Sequence, residues 1–275
     1  MVSDKKLFER NAERIWQVGA YTESFDPPRI YVSGKIGPPY VNCAEFQNRP
    51  EQWEGAVKDF VAKIKNNFRS RYIKEIDRIV GGEIRDLVFS IPVANKLGKK
   101  HTIIRKGETT HGLGGNLVTE ILPSEEVFLI SDLLTTGKSA KQWISAIKDA
   151  GGIIWNYLNF FDRLQGGEEA IENFVKSEYD YRISGISVVQ MNEKFFEIGI
   201  DSGFTTEKKY ENLQKYLENS DNWAIEYLFN HPEFLVNNIK GGETRKISNA
   251  YPVIKEDKEF MGWVGKLAKE KGLDF

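Results

Sequence analysis

Residues 127–139 read Val-Phe-Leu-Ile-Ser-Asp-Leu-Leu-Thr-Thr-Gly-Lys-Ser, and several kinds of chemistry meet in that stretch. An apolar run of strand type leads into Ser131 and Asp132, then Leu133 and Leu134. A hydroxyl-rich turn, Thr135-Thr136-Gly137, follows, and Lys138 and Ser139 open a helix. A helix N-terminus presents backbone N–H groups and the positive end of its dipole. Thr135, Thr136 and Ser139 add hydroxyl donors, and Gly137 lets the backbone come close to an anion. The set suits a phosphate monoester. The plain alternative is a strand–turn–helix corner whose hydroxyls only cap the helix. Gly137-Lys138-Ser139 also has the ending of a nucleoside-triphosphate P-loop, but that motif needs a glycine five residues before Gly137. Residue 132 is aspartate, so the P-loop is rejected. A carboxylate there suits ribose hydroxyls, because it accepts from two neighbouring O–H groups.

Such a turn has to stand at the end of a buried strand. Short apolar runs at Ile76–Val80, Leu87–Ile91, Thr102–Ile104, Val127–Ile130 and Ile153–Asn159 alternate with helical or glycine-containing stretches. Near-continuous apolar strands alternating with helices predict an α/β fold, with a parallel sheet of about five strands covered on both faces. The site should then lie at the carboxyl ends of the strands. Residues 5–20 and 51–69 carry apolar side chains at helical spacing, and Arg29–Val32 is a short strand candidate between prolines. Lys138–Ala150 reads as a crossover helix, ended by Gly151-Gly152. After about residue 190 the pattern is helical throughout. The expected division is therefore a main domain at 1–190 and a helical extension at 191–275, packed on it.

Composition narrows the function classes. The chain has 275 residues, with 38 Lys+Arg against 40 Asp+Glu, a net charge of −2. That balance disfavours a polybasic nucleic-acid binder and an acidic tail protein. One cysteine, Cys43, rules out an intrachain disulfide and a thiolate zinc cage. The charged N-terminus lacks a signal-peptide core, and no apolar run approaches the ~18 residues of a membrane span. The expectation is a cytoplasmic protein that binds neither nucleic acid nor membrane.

At this point the chain resembles the type I phosphoribosyltransferases. Their signature is four apolar residues, two acidic, two apolar, then Thr-Thr/Ala-Gly-x-Ser/Thr. Four more segments resemble the orotate phosphoribosyltransferase family in particular. Ser33-Gly34-Lys35-Ile36-Gly37-Pro38-Pro39-Tyr40 is similar to its early Ser-Gly-Lys/Arg-x-Ser-Pro-Tyr. Ile91-Pro92-Val93-Ala94 is similar to its Gly-Ile-Pro-x-Ala helix start, with Ser90 for the glycine. Arg105-Lys106-Gly107-Glu108-Thr109-Thr110-His111-Gly112 is similar to its mobile catalytic loop, Arg-Lys-x-x-Lys-x-His-Gly. Phe161-Asp162-Arg163-Leu164-Gln165-Gly166-Gly167 is similar to its Val-Asp-Arg-x-x-Gly-Gly. The five segments keep the family's order across roughly residues 30–170; the extension lies outside them.

The resemblance implies a type I phosphoribosyltransferase-like sheet and transfer from 5-phosphoribosyl 1-pyrophosphate (PRPP) to orotate, giving orotidine 5′-monophosphate and pyrophosphate. Mg²⁺ would bridge pyrophosphate oxygens, liganded mainly by substrate and water. Lys106, His111 and Asp132 would be catalytic. Ser131 to Ser139, with Leu133, Leu134, Thr135, Thr136, Gly137 and Lys138 between, would hold the ribose phosphate. Arg105 and Arg85 would meet pyrophosphate, Lys35 would stand where base or pyrophosphate enters, and Arg163 would pair with the orotate carboxylate. Tyr40 would stack on the base or pack in the core. The protein would be a homodimer with shared active sites. Two other functions fit the same residues: a phosphoribosyltransferase for another base, and a non-catalytic PRPP-binding regulator.

Two positions depart from the family pattern. Ser131 replaces the first acidic residue of the signature, and Thr109 replaces the loop's further lysine. A charge-assisted bond is roughly twice as strong as a neutral one, and losing one preorganised donor to transition-state charge costs on the order of 10²–10³ in rate. Thr109→Lys is therefore expected to raise kcat more than it lowers KM, measured with PRPP, Mg²⁺ and orotate. An unchanged kcat alongside loss of turnover in Lys106→Ala would mean that Lys106 already supplies that charge.

Overall fold

The computed structural model describes residues 2–31, 33–109 and 115–274. His111, expected in the catalytic loop, lies outside the described residues. From the N-terminus run helix α1 (Asp4–Gln17), strands β1 (Tyr21–Glu23), β2 (Arg29–Ile30), β3 (Ile36–Gly37) and β4 (Pro39–Val41), and helices α2 (Pro50–Asn67) and α3 (Ser70–Glu75). Then come β5 (Arg78–Gly82), α4 (Leu87–Leu97), β6 (Lys100–Thr109), β7 (Gly115–Leu117), β8 (Glu126–Leu134) and α5 (Lys138–Asp149). Next are β9 (Ile153–Asp162), α6 (Gly167–Tyr179), β10 (Ser184–Gln190) and α7 (Glu193–Asp201). Six helices follow: α8 (Glu207–Glu218), α9 (Ser220–Asn230), α10 (Pro232–Asn237), α11 (Glu243–Ala250), α12 (Pro252–Glu256) and α13 (Lys258–Glu270). Among the described residues no helix is long and apolar enough to cross a membrane.

The chain divides into two compact units, Met1–Ala20 with Val41–Phe204, and Tyr21–Tyr40 with Thr205–Phe275. The first unit holds a six-stranded sheet in the order β10-β9-β8-β5-β6-β7. The pairs from β10 to β6 are parallel, and β7 runs antiparallel to β6. Helices cover both faces. On one, Leu129 and Tyr157 pack with Trp143, Ile144 and Ile147 of α5 and Ile171 and Val175 of α6. On the other, Phe160 stacks on Phe89 of α4 at 4.2 Å between ring centroids, with Phe60 of α2 5.6 Å from Phe89.

Two expectations need correction. Leu87–Ile91 is not a strand but the first turns of α4, which also places Ile91-Pro92-Val93-Ala94 inside the helix rather than at its start. A short apolar run does not by itself distinguish a strand from a buried helix. Pro92 lacks the N–H that would otherwise bond the Val88 carbonyl within the helix. That carbonyl accepts instead from Trp53 Nε1 at 2.8 Å. The second correction concerns the boundary at 190. α7 stays with the first unit, because Trp16 stacks on Phe195 at 5.1 Å and its indole N–H donates to the Phe195 carbonyl at 3.1 Å.

The second unit also takes in residues 21–40. Ile36 joins a core made otherwise by α9 to α13, including Leu228, Leu235, Ile247 and Val264. The Ile36 N–H donates to the Tyr251 hydroxyl at 2.9 Å. Gly34 has φ +85, and a Cβ there would lie 2.4 Å from the Lys246 carbonyl oxygen. Hence the glycine of the Ser-Gly-Lys segment is demanded by helix packing within this unit.

At the amino ends of the central strands a charged cluster fixes their alignment. Arg78 of β5 donates to Glu125 from Nε at 2.8 Å, and Lys100 of β6 donates to Glu125 from Nζ at 2.7 Å. Glu125 immediately precedes β8. The Arg78 bond, chiefly, holds its carboxyl at about 2, against an ordinary value of 4.5. A carboxyl with a lowered folded-state pKa contributes stability above its unfolded pKa and loses it as pH falls towards the folded value. Glu125→Gln is thus expected to lower unfolding stability by about 2–3 kcal/mol at neutral pH. In denaturant titrations the gap to wild type should shrink steadily from pH 4.5 towards about 2. A gap constant over that window would show that the ion pair does not control the difference.

Candidate active site

At the opposite, carboxyl end of the sheet, loops leaving β5 and β8 and the end of β6 enclose a cavity of about 540 Å³. Seven expected site residues line it: Arg85, Lys106, Ser131, Asp132, Leu133, Thr135 and Ser139. Leu134, Thr136, Gly137 and Lys138 complete the same strand–turn–helix segment without lining the cavity. Thr135 to Gly137 form the turn and Lys138 begins α5. Gly137 has φ +74, which suits glycine. The turn is held against the start of α6 by two close approaches. A Cβ on Gly137 would be 2.8 Å from the Gly167 carbonyl oxygen, and one on Gly167 would be 2.4 Å from the Thr135 carbonyl oxygen.

The loop between β5 and α4 is closed by Asp86. One carboxylate oxygen accepts from the Gly82 N–H at 2.8 Å; the other accepts from the Ser131 hydroxyl at 2.8 Å and the Asp132 N–H at 3.0 Å. Glu83 ties the same loop to β6. Its own N–H donates to the Ile104 carbonyl at 2.8 Å, and its carboxylate accepts from the Lys106 N–H at 2.7 Å. Beneath the loop the last two positions of β5 are too tightly packed for side chains. A Cβ at Gly81 would meet Ser90 Oγ at 2.2 Å, and one at Gly82 would meet Trp143 at 2.2 Å.

Asp86 and Asp132 are both buried and hydrogen-bonded to each other. Burial, then the neighbouring Asp86 charge, pushes the Asp132 carboxyl well above the ordinary range. Burial also raises Asp86, opposed by the bonds it accepts from Asp132, Ser131 and Gly82. Of the two, Asp132 is pushed up further, while the three donors to Asp86 favour its charged form.

The other expected residues stand elsewhere. Arg163 follows β9 and does not line the cavity. Its N–H donates to the Leu134 carbonyl at 3.0 Å, and its Nε is buried with no hydrogen-bond partner among the described residues. Arg105 lies in β6 beside Lys106. Lys35 and Tyr40 belong to the second unit. There Lys35 Nζ donates to both carboxylate oxygens of Asp221, at 2.8 and 3.1 Å. The Arg29 guanidinium lies 4.9 Å from the centroid of the half-buried Tyr40 ring. A separate cavity of about 570 Å³ lies within the second unit, lined by Phe25, Trp223, Tyr227 and His231 among others. It holds none of the expected site residues.

No family model matches the chain. In sequence it is similar to the orotate phosphoribosyltransferase of Sinorhizobium fredii, at 29% identity over 160 residues, covering 58% of this chain and 68% of the relative. The corresponding protein of Rhizobium johnstonii is 26% identical over 192 residues, covering 70% and 82%. In structure it is similar to the orotate phosphoribosyltransferase of Aeropyrum pernix, with TM-score 0.56 and 18% identity, covering 70% of this chain and 98% of that one. Leishmania donovani UMP synthase gives TM-score 0.60 at 17% identity, covering 76% of this chain; the chain spans 42% of that longer protein. The chain is orotate phosphoribosyltransferase-like.

Its fold is that of the type I phosphoribosyltransferases, glycosyltransferases built on this sheet. In that fold Arg85 sits in the short loop between β5 and α4, which begins at Leu87. Sequence reasoning missed Glu83, Asp86 and Trp143 in this phosphoribosyltransferase-like site. The available signal was Gly81-Gly82-Glu83 with Asp86 three residues on; reading Leu87–Ile91 as a strand hid it. Because Gly167 sets the position of the Thr135 carbonyl, Gly167→Ala is expected to weaken inorganic phosphate binding at least tenfold. It should also lower stability by about 1–3 kcal/mol. Gly262→Ala in α13, where a Cβ would meet nothing within 4 Å, should leave phosphate binding unchanged. Calorimetric phosphate titration checks both; equal affinities in all three proteins would remove the anion from this turn.

Proposed function

We propose that the protein transfers the phosphoribosyl group of PRPP to orotate, forming orotidine 5′-monophosphate and pyrophosphate. The observation that carries this reading is the convergence, in one cavity, of the Thr135–Ser139 turn, Asp132 and the two cations Arg85 and Lys106. The turn and the N-terminus of α5 bind the 5′-phosphate. Asp132 accepts from ribose hydroxyls. Arg85 holds pyrophosphate through its planar fork, and Lys106 acts as a point charge beside it. The bond from C1 to the pyrophosphate oxygen breaks with its electron pair leaving on pyrophosphate, and the orotate N1 lone pair forms the new bond to C1. Orotate N1 needs little base catalysis, so the protein's task is fixed charge of both signs: cations for the departing pyrophosphate and carboxylates near the developing ribosyl cation.

The donor set suits Mg²⁺, which takes few protein ligands and keeps substrate and water oxygens. Glu83, Asp86 and Asp132 are the carboxylates that line the cavity and would be the protein oxygens within its reach. Bound there, Mg²⁺ would neutralise pyrophosphate charge.

Arg163, with its buried and unpartnered Nε, is assigned to the orotate carboxylate. A homodimer with shared sites belongs to the same reading. Ile84 and Ile91, beside Arg85, are 78% and 45% exposed and offer apolar surface for a second copy. Sedimentation at micromolar concentration should show a dimer, and a fully active monomer would contradict shared sites. A second reading, transfer to another base, rests on serine at 131 and threonine at 109, where the orotate family pattern has charged residues.

Orotate consumption and pyrophosphate release with PRPP and Mg²⁺ test the activity. Arg163→Ala should raise the KM for orotate about thirtyfold or more while leaving that for PRPP within a few fold, since a desolvated charge pair is worth about 2–5 kcal/mol. Equal shifts in both KM values would take Arg163 out of the base pocket. Release with a different base and none with orotate would favour the second reading.

A further inference from the structure

Ser131 stands where the family signature has an acidic residue, and its side chain is already committed. Its hydroxyl donates to Asp86 at 2.8 Å. Asp86 comes from a different loop, lines the same cavity and touches the Asp132 side chain. An aspartate at 131 would bring a further carboxylate against the Asp86 oxygen that now accepts from Ser131 Oγ. Three like charges in a buried space are strongly unfavourable. Serine at 131 and aspartate at 86 therefore form one compatible set.

We propose that the ribose-binding carboxylate absent at Ser131 is supplied by Asp86, so that an Asp86–Asp132 pair, drawn from the β5–α4 loop and the end of β8, holds the ribose diol of PRPP. The inference rests on the phosphoribosyl-transfer reading and adds a substrate-binding residue to it. Two adjacent hydroxyls need two acceptors, and the two carboxyl groups stand side by side at the cavity wall. Ser131 becomes a positioning residue: with the Asp132 N–H it fixes one Asp86 oxygen, while the Gly82 N–H fixes the other. In this arrangement the loop that carries Arg85 also grips the sugar. Ribose binding and pyrophosphate binding then order the same short segment, Glu83 to Asp86.

The test uses the full chain, three probes and calorimetry. The probes are inorganic phosphate, ribose 5-phosphate, and PRPP with Mg²⁺. Asp86→Asn keeps the side-chain shape and removes the charge. It should leave phosphate affinity within twofold of wild type while lowering ribose 5-phosphate and PRPP affinity at least tenfold. The exchange variant Asp86→Ser with Ser131→Asp returns the carboxylate to the signature position and should recover sugar affinity to within about threefold of wild type. Two results would overturn the inference with the function left standing: unchanged sugar affinity in Asp86→Asn, or a parallel loss of phosphate and sugar affinity in both variants. Wild type that binds phosphate but neither sugar would overturn the phosphoribosyl reading itself, and this inference with it.

Discussion

Burying the Asp86 carboxylate at the carboxyl edge of the sheet is unfavourable by several kcal/mol unless its oxygens are paired. Three donors at the ends of two strands offset that penalty, from Gly82 of β5 and Ser131 and Asp132 of β8. Those bonds dictate much else around the cavity. They require the β5 strand to end in glycine, because Trp143 of α5 and Ser90 of α4 press on Gly82 and Gly81. They hold the first residues after β5 in a short turn, so that α4 can start at Leu87 and present Phe89 to Phe160. Remove the carboxylate, and the turn before α4 loses the contacts that link it to β8.

The strand–turn–helix at 127–139 was fully legible in the sequence, because each part had its own local signal: an apolar run, an acid, a glycine turn and a helix start. The parallel sheet was legible for the same reason, although β10 and the antiparallel β7 were not foreseen. What sequence could not show was any contact made across the sheet. Asp86 gains its place only when β5 and β8 lie side by side, with Val80 opposite Leu129. The register of α4 was also hidden. Pro92 reads locally as a helix start, and only the Trp53 indole bonded to the Val88 carbonyl makes it tolerable inside one.

The second unit shows the same limit from another side. Ser33-Gly34-Lys35 looks, as a motif, like part of a substrate site. In the fold its glycine is fixed by close approach to Lys246, its following isoleucine by the core of α9 to α13, and its lysine by Asp221. The Lys35–Asp221 pair is about half exposed at both ends, and pairs of that kind are worth about 0–1 kcal/mol. Such a weak pair leaves Lys35 available to a stronger anion at little free-energy cost, whereas Gly34 and Ile36 are held by packing that no ligand replaces.

The two ends of the sheet carry different kinds of polar group. At the amino ends Glu125 takes bonds from Arg78 and Lys100, while a buried carboxylate oxygen of Glu126, the first residue of β8, has no partner among the described residues. At the carboxyl ends polar groups are left without partners among the described residues. Arg163 Nε is one, and both amide atoms of the fully buried Asn159, opposite Ser131 in register, are others. Each unsatisfied buried group is unfavourable by about 1–3 kcal/mol. A fold selected only for stability would have replaced Asn159 with an apolar residue of similar shape. Asn159 lies opposite Ser131 in register, on the strand that leads to Arg163, so its unpaired amide stands one strand away from the bond between Ser131 and Asp86.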